Sequence, residues 1–175
     1  MSESWTLTVR LVDIGRGGLT LTSEPDASAW PAIAKAIGVD ALQAVKAEVQ
    51  LKPWLDGAEF EARATAIATQ TCGITLEPFD VPLEARFTLH FLPQASPNAP
   101  PEDAREVLID PEGEDPPEIL DGDVIDVGAY LIEHLALEVD PFPRKPEAVF
   151  EPPENGGVLS PFAALAVLKT PKDTH

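Results

Sequence analysis

Apolar and polar positions alternate with the period of a half-buried strand in five stretches of this chain. Trp5, Leu7, Val9 and Leu11 are apolar where Thr6, Thr8 and Arg10 are polar, and Leu19-Thr20-Leu21-Thr22 repeats the alternation after the turn Gly15-Arg16-Gly17-Gly18. Two such runs around a glycine-rich turn predict a hairpin with a longer loop. Val45, Ala47, Val49 and Leu51 alternate with Lys46, Glu48 and Gln50 until Pro53 and Asp56-Gly57 close the run as a turn. The next run shows Ala58, Phe60, Ala62, Ala64, Ala66 and Ala68 on one face, small enough for another layer to approach closely. Val81, Leu83, Ala85, Phe87, Leu89 and Phe91 form the cleanest strand pattern, and the connection through residues 72–80 predicts antiparallel pairing of these two long strands.

The period changes to that of a helix in two places. Trp30, Ile33, Ala34 and Ile37 recur at helical spacing, with Asp26 and Ser28 as cap-type residues, Pro31 in the first turn and Gly38 as a stop. Leu131, Ile132, Leu135 and Val139 do the same before Pro141. Near the C-terminus, Ser160-Pro161 opens a short apolar segment with Phe162, Leu165, Ala166, Leu168 and Lys169, which is expected to dock on the body. The predicted fold is α+β and a single domain. It is a twisted antiparallel sheet of about five strands, able to curl toward a barrel, with two main helices and a docked short C-terminal helix. Residues 1–93 form the sheet region with one helix, 94–123 an acidic proline-rich loop, and 124–175 a helix with an extended arm.

Charge changes the picture more than composition does. The chain has 175 residues, 44% of them hydrophobic, so a core is attainable and an acidic disordered chain is excluded, yet 30 acids face 12 bases for a net −18. Residues 102–126 hold Glu102, Asp103, Glu106, Asp110, Glu112, Glu114, Asp115, Glu118, Asp121, Asp123 and Asp126 against Arg105 alone, which is −10 of the total. Such a run marks an interaction arm or a solvating loop. The spacing of Asp121, Asp123 and Asp126 does not fit a calcium loop, and a helix start capped by one of the three is the better reading.

Candidate chemistry is sparse. One cysteine, Cys72, excludes an intramolecular disulfide and a four-cysteine zinc site, which suits a reducing compartment. No Lys, Arg or His neighbours it in sequence, so a partly buried structural thiol is expected. His90, His134 and His175 are scattered and suggest neither a triad nor a metal site, and no phosphate loop or nucleophile elbow is present. The N-terminus lacks a basic stretch followed by an apolar one, and no run approaches the roughly 20 apolar residues that cross a bilayer, so a cytosolic, soluble protein is expected.

Three blocks occur together in order: TQTCGITLEPF at 69–79, PEILDGDVIDVGAYLIEHLALEVDPFPRKP at 117–146, and SPFAALAVLK at 160–169. On these the sequence resembles the YceD family, the large ribosomal RNA subunit accumulation proteins, in the form typical of alphaproteobacteria. The matching motif residues are Cys72, Glu77, Pro78, Phe79, Asp126, Glu133, Asp140, Pro141, Pro143, Arg144, Pro161 and Phe162. The resemblance implies a part in 23S rRNA accumulation, without an established catalytic activity. Other branches carry a Cys-x-x-Cys pair where this chain has Cys72-Gly73-Ile74-Thr75, so a metal role is not carried over, and a metal-free, cofactor-free protein is expected.

Nucleic-acid binding needs clustered Lys and Arg, and this chain is short of both. The leading expectation is a non-enzymatic factor for large-subunit assembly that binds a basic ribosomal or assembly protein through the acidic arm, with no membrane partner. The alternative is direct binding of precursor rRNA by a local basic patch, for which Arg16, Arg63 and Arg86 are candidates. A hydrolase using paired carboxylates is a third reading, with no pair fixed by the sequence.

Overall fold

The long alternating runs form consecutive strands of one open sheet in a computed structural model, which describes residues 5–99 and 116–150. In chain order the elements are β1 (Thr8–Arg10), β2 (Leu19–Ser23), α1 (Trp30–Ile37), β3 (Ala41–Trp54), β4 (Gly57–Thr71), β5 (Pro78–Pro93), β6 (Glu118–Leu120), β7 (Val124–Asp126) and α2 (Val127–Leu137). The main sheet has the order β2-β3-β4-β5-β6, and β1 pairs with β7 in a separate two-stranded ribbon. The architecture is the expected α+β with five sheet strands and two helices. The sheet does not close into a barrel, and its last strand, β6, joins β5 in parallel where the rest is antiparallel.

Burial follows the alternation. Val45, Ala47, Val49 and Leu51 of β3, the Ala58–Ala68 row of β4, and Leu83, Ala85 and Phe91 of β5 are buried on one face. Both helices cover that face, α1 against β3 and α2 against β4 and β5, and the two helices touch each other. Across the alanine row the helices find no bulky side chain, while Phe60, Phe87, Phe91 and Tyr130 fill the far end with ring centroids 5.0–6.3 Å apart. The opposite face is left to solvent.

Gly38 ends α1 in the left-handed region at φ 81°, its N–H donating to the Ala34 carbonyl. Asp126 caps α2 by accepting from the Ala129 N–H at 3.0 Å, which selects one of the three candidate caps. Gly128 follows because a side chain there would sit 1.7 Å from the Trp5 carbonyl oxygen, and its N–H donates to Leu7.

Four local expectations are corrected. The run 5–11 is a strand only over Thr8–Arg10, since Leu11–Asp13 turns as a 3-10 helix. It forms no hairpin with 19–22: β1 pairs with β7 and β2 with β3, pairings whose partners lie too far along the chain for local alternation to reveal. The loop assigned to 94–123 contains β6, and β3 begins at Ala41 because a bulge between Leu42 and Ala44 shifts the register and breaks the period before Val45. The C-terminal helix expected at 160–169 lies outside the described residues.

Candidate functional site

The connection from β4 to β5 is a tight loop closed by backbone bonds, Cys72 N–H to the Glu77 carbonyl and Leu76 N–H to the Cys72 carbonyl, both 2.9 Å. Leu76 takes φ 59° to make the turn. The segment leaving α2 crosses this loop and is clasped to it. Gln70 Nε2 donates to the Asp140 carbonyl at 3.1 Å, Gly73 N–H to the Pro143 carbonyl at 2.9 Å, and Lys145 N–H to Cys72 Sγ at 3.4 Å. Lys145 Nζ reaches Glu77 Oε2 at 2.6 Å, and Asp140 Oδ1 accepts from Phe142 N–H at 2.8 Å. The two motif blocks at 69–79 and 117–146 are therefore two sides of one hydrogen-bonded clasp.

Cys72 is fully buried at its centre. Thr75 N–H also donates to the sulfur, at 3.5 Å. Hydrogen bonds from Thr75, then from Lys145, favour the thiolate more than burial opposes it and push the thiol down from 9.0 to about 6. The same Lys145 holds the Glu77 carboxyl below its ordinary value. The expectation is a partly buried structural thiol with no group beside it to lower its pKa; the structure buries it fully, and the donors that lower its pKa come from the turn and from a residue 73 positions away. Gln70 and Lys145 carry the clasp with no sequence signal of their own. Of the motif residues, Pro78 and Phe79 begin β5, Arg144 and Pro141 are exposed on the crossing segment, and Pro161 and Phe162 lie outside the described residues.

The donors at the clasp do not suit zinc. Thr75 replaces a second sulfur, Cys72 Sγ is already bonded by two N–H groups, and no group of three or more His, Cys, Asp or Glu side chains gathers among the described residues.

The other candidate region is the solvent face of the sheet, an open trough of about 600 Å³ that includes Glu48, Gln50, Glu61, Arg63, Arg86 and Thr88 in its lining. Arg63 and Arg86 face each other across β4 and β5. Both hold the same carboxylate: Glu84 Oε1 lies 2.7 Å from Arg63 Nε and 2.6 Å from Arg86 Nη2, and these bonds, Arg86 first, keep Glu84 below its ordinary pKa. Lys46 pairs with Glu48, and Lys52 with Glu59 and Glu61. Arg16 sits apart, in the exposed turn before β2, and does not line the trough. The structure thus brings two of the three candidate arginines together on one shared carboxylate.

The acids of the arm divide. Glu102, Asp103, Glu106, Asp110, Glu112, Glu114 and Asp115 lie outside the described residues. Glu118 is exposed on β6, and Asp121 and Asp123 flank Gly122 in the exposed bend leading to β7. Burial first, and then the charges of Glu118, Glu133 and Asp126, push the Tyr130 phenol pKa up. Before the chain enters the acidic run it is tied down: Ser96 Oγ and Asn98 Nδ2 donate to Asp56 Oδ1 at 2.7 and 2.9 Å, Asn98 first in holding that carboxyl below its usual range. His90 lies beside Trp54 and Glu59, while His134 stacks on Phe87 with ring centroids 3.5 Å apart, so these two histidines have separate surroundings.

Among the described residues no helix is long and apolar enough to cross a membrane. No curated protein and no solved structure matches the chain. Residues 60–169 match the family described as large ribosomal RNA subunit accumulation protein YceD, a span that runs from within β4 through α2 and takes in both sides of the clasp. With well over half of its length matched, and with the clasp lying inside that span, the chain belongs to the YceD family of large ribosomal RNA subunit accumulation proteins.

Proposed function

We propose that the protein supports large ribosomal subunit biogenesis without catalysis, by holding a basic ribosomal or assembly protein through the acids of 102–126. Accumulation of large-subunit rRNA then follows from productive assembly. The observation that carries this reading is the state of the cations. Arg10, Lys46, Lys52, Arg63, Arg86 and Lys145 are each within ion-pair distance of a carboxylate. Among the described residues only Arg16, Lys35 and Arg144 have no such pair, and they sit on a turn, on α1 and on the crossing segment. A surface most of whose bases already contact a carboxylate offers phosphates less counterion release, whereas unmatched acids attract a cationic polypeptide and raise its association rate.

The test is a crosslinked pulldown from lysate with and without ribonuclease, followed by titration with purified basic large-subunit proteins. Capture that survives RNA removal and is abolished when the acids of 102–126 become Asn or Gln supports the reading. Unchanged affinity after that replacement would remove it. The rRNA alternative rests on the Arg63–Arg86 juxtaposition. Filter binding of precursor rRNA, with Arg16, Arg63 and Arg86 neutralised in a second sample, decides it.

A further inference from the structure

The strand β5 is paired along one side with β4 from Pro78 to Phe91, but on its other side β6 covers only Phe91–Pro93. Among the described residues nothing pairs with that second side over Pro78–His90. A row of backbone N–H and C=O groups of this length is a template for another strand. We propose that Asp80–His90 pairs antiparallel with the same stretch of a second copy across a two-fold axis at Ala85, joining the two sheets in a dimer.

The side chains select both the occupant and the register. On the solvent face β5 presents Asp80, Pro82, Glu84, Arg86 and Thr88, with half-buried His90 at the end. A two-fold axis at Ala85 sets Glu84 of each copy opposite Arg86 of the other, Asp80 opposite His90, and Pro82 opposite Thr88. On the helix-covered face it sets Leu83 opposite Phe87 and Val81 opposite Leu89, all apolar. Moving the axis to residue 84 or 86 would oppose Glu84 to itself or Arg86 to itself, and like charges directly across a ladder are destabilising. Of the axes at residues 84, 85 and 86, only the one at Ala85 makes this edge self-complementary, which is what an isologous interface requires. Val81, Phe87 and Leu89 are only partly buried in the single chain and would gain cover. Arg63 already holds Glu84 at 2.7 Å, so the pairing continues an existing ion-pair network across the axis. Proline tolerates a sheet only where its nitrogen faces away from the ladder, which places the nitrogen of Pro82 on the open side and removes one donor on each side of the axis.

Sedimentation of the full chain across the micromolar range tests this. The expected result is a reversible dimer. Arg86→Glu alone raises its dissociation constant about tenfold, since two like-charge pairs replace two favourable ones. Glu84→Arg/Arg86→Glu together restores it, and circular dichroism shows each variant folded. Independently, a Pro82→Cys/Thr88→Cys chain carries thiols about 20 Å apart along one extended strand, too far to bridge within a copy. Mild oxidation should therefore yield covalent dimers. A chain that stays monomeric throughout, or a dimer that ignores Arg86→Glu and fails to crosslink, overturns the proposal.

Discussion

At the scale of single residues, Cys72 shows how a feature silent in sequence acquires meaning from its donors. Its ordinary pKa is 9.0 and its folded value is about 6, so the fold favours the thiolate. A depressed folded pKa contributes stability that is complete above the unfolded value and is lost as pH falls through the folded one. The pH-dependent part of the stability advantage over Cys72→Ala should therefore grow from pH 6 to pH 9 and vanish below, leaving only the packing contribution, as urea midpoints across that series will show. Thiolate absorbance measured against pH gives the pKa directly. Asp126 is a simpler case. Asp126→Ala removes the one side-chain cap of α2 and should cost about 1 kcal/mol in thermal or urea unfolding. That one of Asp121, Asp123 and Asp126 caps a helix was legible from residue type; which one depends on where β7 stops.

At the scale of elements, the alternation of buried and exposed positions predicted the long strands β3, β4 and β5 because their side chains see only two environments, core and water. Of the short strands, β1 was legible in the alternation of 5–11 but not its extent, and β6 and β7 were not legible. β1, β6 and β7 are three residues each, and they exist because a distant partner supplies their hydrogen bonds. The alanine row of β4 is where the element meets the layer above it. Ala64 is fully buried, so Ala64→Leu has no room and should destabilise the fold by about 1–3 kcal/mol, measured by chemical denaturation. Gly128→Ala drives a methyl against the Trp5 carbonyl and should cost more than about 2 kcal/mol, since backbone on both sides would have to move.

At the scale of the whole molecule, charge governs what the protein can meet. The net −18 repels polyanions at long range, and salt screens that repulsion beyond about 8–10 Å. Capture of a basic protein should therefore weaken steeply as salt rises, with most of the loss in the association rate, which stopped-flow mixing will resolve. The composition of the chain, read without coordinates, determined this electrostatic character and the acidic segment that concentrates it, because net charge is a sum that does not depend on folding. It also determined the α+β class, since period is a property of neighbours along the chain. The structure alone decided that Arg63 and Arg86 share Glu84, and that the blocks at 69–79 and 140–145 close on each other around a buried sulfur. Those are contacts between residues far apart in sequence. No local pattern encodes them, because the energy that holds them is released only when the whole sheet and its helices have brought the two segments together.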